Sequence, residues 1–577
     1  MTNMIIKNKV IDSYVRKNIE NYIPNFTKIF HKFSSSKSLL CKINRQEIIR
    51  KHYFNDGLSK NIEEFLMIIY DIQNNQIKNI TKRLDLFIQS NPDFNLARLL
   101  LSRLNAIFNL PSVKKNDLIL TLKYFPDDAF LNNAYGNYLG IILGKKKESH
   151  NFLKKSVNIE PDNEEYIIDF AFNSFTLGKI NTSKKSLINA FQIFGKKNNR
   201  NIEYINLDDI GQILILLKNH ENKKKLVILL ILLVSMIHEY YGNFSEIIKI
   251  NLLASNLYPE IKELKFYLGL MYLHIGKKSH GFKLIYEANI DNRNRGQNIL
   301  SLRLKEIPRL SKKNFQYIDD KHILVWLEQG FGDHLHFARY IPLLSKRVKK
   351  ISVFGPLSVM ELLKYSPEFK NINLLSRFKD DNFSLQTYLF DLPYLLDCSN
   401  KKINSFSLNI KKLRNNKKNL LKTFSQYTLK PKKKIGIFHS GSQIHLHNHF
   451  RAIPIEQFSD LFENSEYQFF LLNKNIENSD KKFINSYSNI TSCNKLIKNW
   501  SDTACIASEL DMIITCDSSL AHLGGCMNIS TVILLNEVCD WRWDKKGKKS
   551  ELYSSIKIMR KEKNTEWRKL IKKIIIN

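Results

Sequence analysis

The pattern of apolar and polar positions divides the chain near residues 300–320. Before that point, apolar residues recur at helical spacing and glycines recur at a fixed interval. Gly144 and Gly178 are 34 residues apart, and so are Gly242 and Gly276. This is the period of tetratricopeptide repeats, in which small residues let two paired helices cross closely. Each of these glycines is therefore predicted to lie at the turn between two paired helices.

We predict a tetratricopeptide-like α-solenoid over residues 51–300, preceded by an N-terminal extension or cap at residues 1–50. Helix pairs of this kind stack into a superhelix whose concave groove binds extended peptides or partner proteins. The alternative interpretation is a generic helical bundle in which the glycine spacing arose by chance.

Beyond residue 320 the apolar runs shorten to strand length, which predicts an α/β region. Residues 512–515 and 531–535 are typical of two buried strands, and residues 520–527 between them are long enough for a short helix. The sequence before that helix, Asp-Ser-Ser at residues 517–519, contains good N-cap residues. The pattern therefore indicates a strand, a hydroxyl-rich loop, a helix and a second strand.

The start of this helix is a candidate anion site. The first backbone amides of a helix have no partner within the helix and the helix dipole is positive there, which suits a phosphate or diphosphate. Ser518 and His522 are four residues apart, so both would face the same ligand. The alternative is an ordinary Rossmann-like crossover with a capped helix.

A second strand, loop and helix follow from the pattern of residues 323–340. Residues 323–327 are predicted to form a buried strand, and residues 330–332 a tight glycine loop. Asp333 then begins a helix at the position where α/β proteins usually bind ligands. Leu335 occupies the place of the third glycine of a GxGxxG fingerprint, so a dinucleotide site is not supported.

These two segments together resemble the ADP-heptose:lipopolysaccharide heptosyltransferase family (glycosyltransferase family nine), in particular its bacterial relatives linked to tetratricopeptide repeats. The matching motifs are Trp-Leu-Glu-Gln-Gly-Phe-Gly-Asp at residues 326–333 and Asp-Ser-Ser-Leu-Ala-His at residues 517–522. Further matches include Asp-Leu-Pro at 391–393 and Asp-Trp-Arg-Trp at 540–543. The resemblance implies a GT-B fold of two Rossmann-like domains, expected at residues 315–430 and 431–577.

The resemblance also implies a function. It predicts a glycosyltransferase that moves a sugar from a nucleotide-diphosphate sugar to a protein or glycan hydroxyl, with inversion at the anomeric carbon. The chain contains no Asp-x-Asp motif, which argues against a diphosphate bridged by a metal. We therefore expect a metal-independent enzyme that needs no cofactor besides its donor. A solenoid followed by GT-B domains also resembles, in architecture only, the eukaryotic O-linked N-acetylglucosamine transferase.

Candidate site residues follow from the matched motifs. Asp333 matches the proposed general base of the family, although aspartate also favours helix N-termini. A helix start contributes at most about 2 kcal/mol to anion binding, so a cation from Arg451 or Lys474 is expected to assist. The predicted substrate-binding residues are Glu328, Gln329, Gly330, Gly332, Arg339, Arg451, Lys474, Asp517, Ser518, Ser519 and His522.

The segment at residues 445–452 departs from the family pattern. Relatives carry an Arg-Ser pair here, whereas this chain has Arg451 followed by alanine, after histidines at 445, 447 and 449. The three histidines would share one face of a strand, but no fourth ligand is evident, so no metal site is predicted. The alternative function is a non-catalytic scaffold whose GT-B domain has degenerated.

Composition narrows the function classes further. The formal net charge is +34, but the basic residues are spread along the chain, so no specific nucleic-acid partner is predicted. The seven cysteines include no Cys-x-x-Cys pair, which is typical of reduced residues in a cytoplasmic protein. The start of the chain lacks a signal-peptide pattern, and its apolar runs fall short of the ~20 residues that a membrane helix needs.

Overall fold

The computed structural model describes residues 64, 65, 68, 77–91, 97, 98, 101, 115–197, 207–219, 223–288, 307–377, 382–428, 432–443, 445–543, 547–562 and 565–574. The predicted extension at residues 1–50 lies outside these residues. The chain divides into two compact units. The first comprises residues 1–204 and 216–226, and the second comprises residues 205–215 and 227–577.

The described part of the chain before residue 300 is helical. Its α-helices are α1 (Ile77–Ser90), α2 (Lys115–Tyr124), α3 (Ala129–Asn137), α4 (Lys146–Ile159), α5 (Glu164–Thr176), α6 (Ile180–Lys197), α7 (Leu207–Leu216), α8 (Lys223–Tyr240), α9 (Phe244–Leu257), α10 (Lys262–His274) and α11 (Lys278–Ala288). A π-helical turn, Tyr138–Ile142, follows α3, and a 3-10 turn, Leu217–Asn219, follows α7. Among these residues, the prediction of helices is confirmed.

The four glycines singled out by their spacing lie at turns between helices. Gly144, Gly178, Gly242 and Gly276 have φ angles of 67°, 76°, 75° and 82°, a region that favours glycine because it has no side chain. They join α3 and its π-helical turn to α4, α5 to α6, α8 to α9, and α10 to α11. The predicted helix hairpins are therefore present at all four positions, while their assembly into a tetratricopeptide superhelix stays a prediction.

The first sheet has four parallel strands. They are β1 (His322–Trp326), β2 (Lys350–Phe354), β3 (Asn373–Leu375) and β4 (Leu385–Tyr388), in the order β3-β2-β1-β4. The α-helices that accompany it are α12 (Phe331–Phe337), α13 (Ile341–Ser345), α14 (Leu357–Leu363), α15 (Leu392–Leu395), α16 (Ile410–Asn416) and α17 (Lys418–Ser425). Short 3-10 turns lie at Phe315–Tyr317, Ala338–Tyr340, Pro367–Phe369 and Leu389–Asp391. Nearly every residue of β1 and β4 is buried, as expected for a parallel sheet covered on both faces.

The second sheet has six parallel strands. They are β5 (Lys433–Phe438), β6 (Tyr467–Leu471), β7 (Ile490–Ser492), β8 (Met512–Cys516), β9 (Thr531–Asn536) and β10 (Ile556–Lys561), in the order β10-β9-β8-β5-β6-β7. Its helices are α18 (Asn448–Arg451), α19 (Ser459–Phe462), α20 (Asn478–Ile484), α21 (Trp500–Ala507), α22 (Ser519–Cys526) and α23 (Trp567–Ile571), with a 3-10 turn at Ile455–Phe458. This is the doubly wound order of a Rossmann-like domain. Two Rossmann-like parallel sheets are thus present, as predicted.

The last helical hairpin packs into the core of the sheet region. The ring of Phe282 in α11 lies 6.0 Å from that of Phe337 in α12 and 5.9 Å from that of Trp541. Leu273 and Ile285 are buried in the same hydrophobic cluster. Consequently residues 227–288 belong to the same compact unit as both sheets, whereas the sequence pattern grouped them with the preceding helices.

Within the described residues, the structure contains no helix that combines the length and the apolar character needed to cross a bilayer.

Candidate active site

A cavity of about 970 Å³ lies within the second compact unit. Its wall is formed by the loops after β1, β5 and β9, by the start of α22 after β8, and by side chains of α8 and α10. In doubly wound sheets, ligands bind beyond the carboxyl ends of the strands, at the point where the strand order reverses. That point lies between β5 and β8 in the second sheet and between β1 and β4 in the first. The cavity therefore lies where topology predicts a site.

The hydroxyl-rich start of α22 lines this cavity. The helix begins at Ser519, and Ser518 is its N-cap residue. The Ser518 hydroxyl does not cap the helix, because it shares a hydrogen bond of 2.8 Å with the Thr515 hydroxyl. The amides of the first turn are consequently not covered by the capping side chain, and they suit an anionic ligand in the cavity.

His522 is held rigidly on the first turn of α22. Its Nδ1 lies 3.0 Å from the Tyr553 hydroxyl, and its ring stacks on Trp543 with centroids 5.1 Å apart. Burial, reinforced by the charges of Arg542 and Arg339, lowers the pKa of His522 to about 3. The ring is therefore neutral near pH 7 and can offer a ligand a hydrogen bond but no charge.

The positive charge at this end of the cavity comes from Arg451. Its guanidinium lines the cavity, its Nε is buried without a hydrogen-bond partner, and it forms no salt bridge with any described residue. Gly441 makes room for it, since a Cβ at that position would lie 2.9 Å from Nη2 of Arg451. The predicted assisting cation thus lines the cavity beside the helix start, where its charge acts to lower the pKa of Asp517 against the effect of burial without a direct ion pair.

Asp517 is a buried carboxyl group at the same place. It accepts a hydrogen bond of 2.8 Å from the Trp543 indole nitrogen. Burial and the nearby charge of Asp540 raise the pKa of Asp517 to about 6. The group therefore stays mostly ionised near pH 7, and the charge of Arg451 favours its ionised form.

Asp333, the predicted base, also lines the cavity, but both of its carboxylate oxygens are engaged. One accepts a hydrogen bond of 2.9 Å from the amide of Gly330, the N-cap residue of α12, so Asp333 caps the start of that helix from its first turn. The other forms an ion pair with Arg542. The capping role that the sequence left open is therefore observed. A catalytic role requires Arg542 to release the carboxylate first.

Arg542 links the two sheet domains. Its guanidinium donates to both oxygens of Asp540, at 2.8 and 3.0 Å, and also pairs with Asp333 from the first domain. Asp333 and Arg542 are separated by 209 positions in the sequence, so this contact exists only in the folded chain. The Asp-Trp-Arg-Trp motif at residues 540–543 thus supplies the bridging cation.

The other residues of the glycine loop have mixed roles. Gln329 and Gly330 line the cavity, and Gln329 adopts a positive φ of 70°. Gly332 also lines it, and a Cβ there would lie 3.2 Å from His522 Cδ2 and 3.6 Å from Ser519 Cα. The absence of a side chain at Gly332 therefore lets α12 and α22 approach each other closely.

Glu328, predicted to bind substrate, does not line the cavity. Its carboxylate accepts hydrogen bonds from the amides of Leu389 at 2.9 Å and Phe390 at 2.8 Å. Burial raises the pKa of Glu328 to about 8, against the opposing effect of these two amides. Its place in the structure is a support between the ends of β1 and β4.

Arg339 and Lys474 also lie outside the cavity lining. The buried Arg339 donates to the carbonyls of His336 at 2.7 Å and Ile403 at 2.9 Å, and its guanidinium lies over the Tyr553 ring. The exposed Lys474 donates to the Lys498 carbonyl at 3.0 Å. Of the two predicted cations, only Arg451 reaches the cavity.

The histidine-rich segment does not form the strand expected from its alternation. His447 precedes the short helix α18, which contains His449. His445 and His447 line the cavity. Among the residues that the structure describes, no group of three His, Cys, Asp or Glu side chains is placed to hold a metal ion.

Sequence reasoning missed the contribution of the helical region. Glu239 on α8 and His274 on α10 line the same cavity as Asp333 and Ser519. Both come from residues that the sequence pattern assigned to the solenoid. The helical periodicity gives no signal for this, because it shows which face of a helix is buried but not what covers that face.

Comparison with known proteins gives only weak likenesses. No family profile matches this chain, and no curated protein matches it. Similar solved structures include a glycosyltransferase of family 9 from Veillonella parvula (13% identity, 45% of this chain, 91% of that chain, TM-score 0.33). A second is ADP-heptose lipopolysaccharide heptosyltransferase II of E. coli (12% identity, 44% of this chain, 94% of that chain, TM-score 0.33). A third is a mutant O-GlcNAc transferase of Thermobaculum terrenum (8% identity, 70% of this chain, 82% of that chain, TM-score 0.27). At these identities and TM-scores, chemistry has to be argued from the residues themselves.

Proposed function

We propose that this chain is a glycosyltransferase that uses a nucleotide-diphosphate sugar, with the donor diphosphate bound at the start of α22. The observation that carries this proposal is the unpaired guanidinium of Arg451 beside the uncapped helix start at Ser519. A half-buried guanidinium that forms no salt bridge with any described residue, together with free amides at one end of a cavity, forms a site for a small, highly charged anion.

The chemistry follows from the same groups. The acceptor hydroxyl oxygen attacks the anomeric carbon, the bond from that carbon to the diphosphate oxygen breaks, and the diphosphate leaves with the bonding electrons. Helix amides and Arg451 would stabilise the charge that develops on the leaving group, so no metal ion is needed for it. Attack from the face opposite the diphosphate inverts the anomeric carbon.

The resemblance to glycosyltransferase family nine gives Asp333 the role of general base. In that role, Arg542 would have to leave the Asp333 carboxylate, for example to meet the donor diphosphate. A protein or glycan hydroxyl as acceptor, docking of a protein acceptor in the solenoid groove, and a cytoplasmic location are further parts of the proposal that rest on the sequence.

The donor site can be tested by thermal shift with UDP, ADP, GDP and CDP and their glucose conjugates at millimolar concentration. We expect at least one nucleotide to raise the melting temperature, since binding to the folded state alone stabilises it. Arg451→Gln should remove this shift. Lys474→Gln should keep it, because Lys474 lies outside the cavity.

Failure of all eight compounds to change the melting temperature would contradict the donor-site assignment. That outcome would favour the non-catalytic scaffold. Equal shifts in the parent and Arg451→Gln would keep nucleotide binding but move the diphosphate away from α22.

A further inference from the structure

The cavity has a wall that the two sheet domains do not supply. Helices α8 and α10 line the cavity with mostly apolar side chains, among them Ile231, Met236, Leu270 and Met271. Two groups on this wall can exchange or hold a proton, Glu239 at the end of α8 and His274 at the end of α10. Polar groups are placed in apolar walls where they orient a ligand.

His274 is available to a ligand. Its ring stacks on Phe244, with centroids 5.5 Å apart, and its nitrogens form no hydrogen bond with any described residue. Burial lowers the pKa of His274. The charges of Glu239 and Asp540 raise this pKa, and those of His447 and Arg542 lower it further. The ring is therefore neutral near pH 7 and able to accept a proton.

Glu239 contributes a negative charge to the same wall of the cavity. Its side chain is 19% exposed, and its Oε2 lies 3.9 Å from Nδ1 of His447. Its charge and that of Asp540 raise the pKa of His274 against the effect of burial, so both favour a protonated His274. Arg542, paired with Asp540, also holds Asp333, so the base named by resemblance is occupied while His274 is open.

We propose that the acceptor hydroxyl binds against the helical wall and that His274 takes its proton, with Glu239 stabilising the imidazolium that forms. This inference rests on the proposed function, since it assumes the donor at the start of α22. In the step, the acceptor oxygen bonds to the anomeric carbon, the bond to the diphosphate breaks, and the hydroxyl proton moves to an imidazole nitrogen of His274. The helical region thus contributes to catalysis as well as to partner binding.

Water is the smallest hydroxyl acceptor, so release of nucleoside diphosphate from a nucleotide sugar alone tests this role. The donor is whichever of the UDP-, ADP-, GDP- and CDP-glucose conjugates gives the largest thermal shift. We expect His274→Gln to lower the release rate by at least about 100-fold while keeping the parent's thermal shift, as for loss of a general base. Glu239→Gln should lower the rate by about tenfold, because it removes a charge near the base and not the base itself.

His280→Gln is the matched control, since His280 lies in the same hairpin, is exposed and does not line the cavity. It should release nucleoside diphosphate at the parent's rate. The parent rate should fall as the pH is lowered and His274 becomes protonated, and the residual rate of His274→Gln should lose this dependence. A purely structural role for His274 would not produce that difference.

The outcomes separate the two proposals. A thermal shift with equal release in the parent and His274→Gln, including no release in either, overturns the role of His274 and leaves the donor site standing. Absence of a thermal shift with every donor overturns the donor site and this inference with it. Loss of nucleoside diphosphate release in Asp333→Asn but not in His274→Gln would show that Asp333, and not His274, accepts the hydroxyl proton.

Discussion

The loop after β1 and the helix start after β8 each follow a strand beside the point where the strand order of their sheet reverses, yet their polar groups are used differently. In the first, Glu328 is bound by two backbone amides and Asp333 by an amide and Arg542. In the second, the Ser518 hydroxyl is turned away from the helix start and Arg451 has no partner among the described residues. The first loop therefore ties the domains together, and the second leaves its charge and its amides available to a ligand.

The difference has a physical cause. A buried polar group costs free energy unless it is hydrogen-bonded, so Glu328, which is buried outside the cavity, is satisfied by backbone amides. Asp333 lines the cavity but is held by Arg542, whereas donors at the start of α22 can stay unpaired because solvent or a ligand satisfies them. Two polar loops beside the reversal points of their sheets thus need not have the same function.

The largest effect should come from placing a negative charge at the start of α22. Ser519→Glu would put a carboxylate at the start of α22, where repulsion from the donor diphosphate should weaken binding at least about 100-fold. Isothermal titration with the best nucleotide of the panel measures this. Ser486→Glu, at an exposed position of the same domain, should bind like the parent. Similar nucleotide affinity in both variants would show that the donor diphosphate does not bind at the start of α22.

A smaller effect concerns the stability that depends on His334, the residue after Asp333 on α12. Burial lowers the pKa of His334 on α12 to about 4. The unfolded chain then takes up a proton near pH 6.5 that the native state refuses, so stability is lost as the pH falls through that range. Between pH 6.5 and 5 this amounts to about 2 kcal/mol. His334→Gln lacks this term.

Urea unfolding at both pH values measures the free energy of unfolding of the parent and His334→Gln. The unfolding free energy of the parent minus that of His334→Gln should fall by about 2 kcal/mol on acidification, since the other titrating groups are common to both proteins. A difference that is the same at the two pH values would show that His334 takes up protons equally in the folded and unfolded states.

The smallest effect should come from replacing Asp333 at the start of α12. Asp333→Asn keeps an oxygen for the Gly330 amide but loses the charge that faces Arg542, so we expect a loss of about 1 kcal/mol in unfolding free energy and little change in donor affinity. Release of nucleoside diphosphate should stay within about tenfold of the parent if His274 takes the proton. A loss of two to four orders of magnitude, roughly the contribution of a general base, would instead make Asp333 that base.

The sequence determined the local units. Short continuous apolar runs are typical of strands in a parallel sheet whose two faces are covered by helices, so β1, β8 and β9 could be predicted to within one residue at each end. Gly144, Gly178, Gly242 and Gly276 could be placed at helix turns because other residues rarely adopt positive φ there. The hydroxyl cluster before α22 was equally local, and so was the prediction of an anion site.

Tertiary structure decided which of the predicted side chains meet. Arg451 and Lys474 look alike in the sequence, but only Arg451 points into the cavity. The pairing of Asp333 with Arg542 and the entry of His274 into the same cavity join residues far apart along the chain. Periodicity and turn chemistry report the preferences of neighbouring residues. The partner of a charge is fixed only when packing brings distant segments together and burial makes an unpaired group costly.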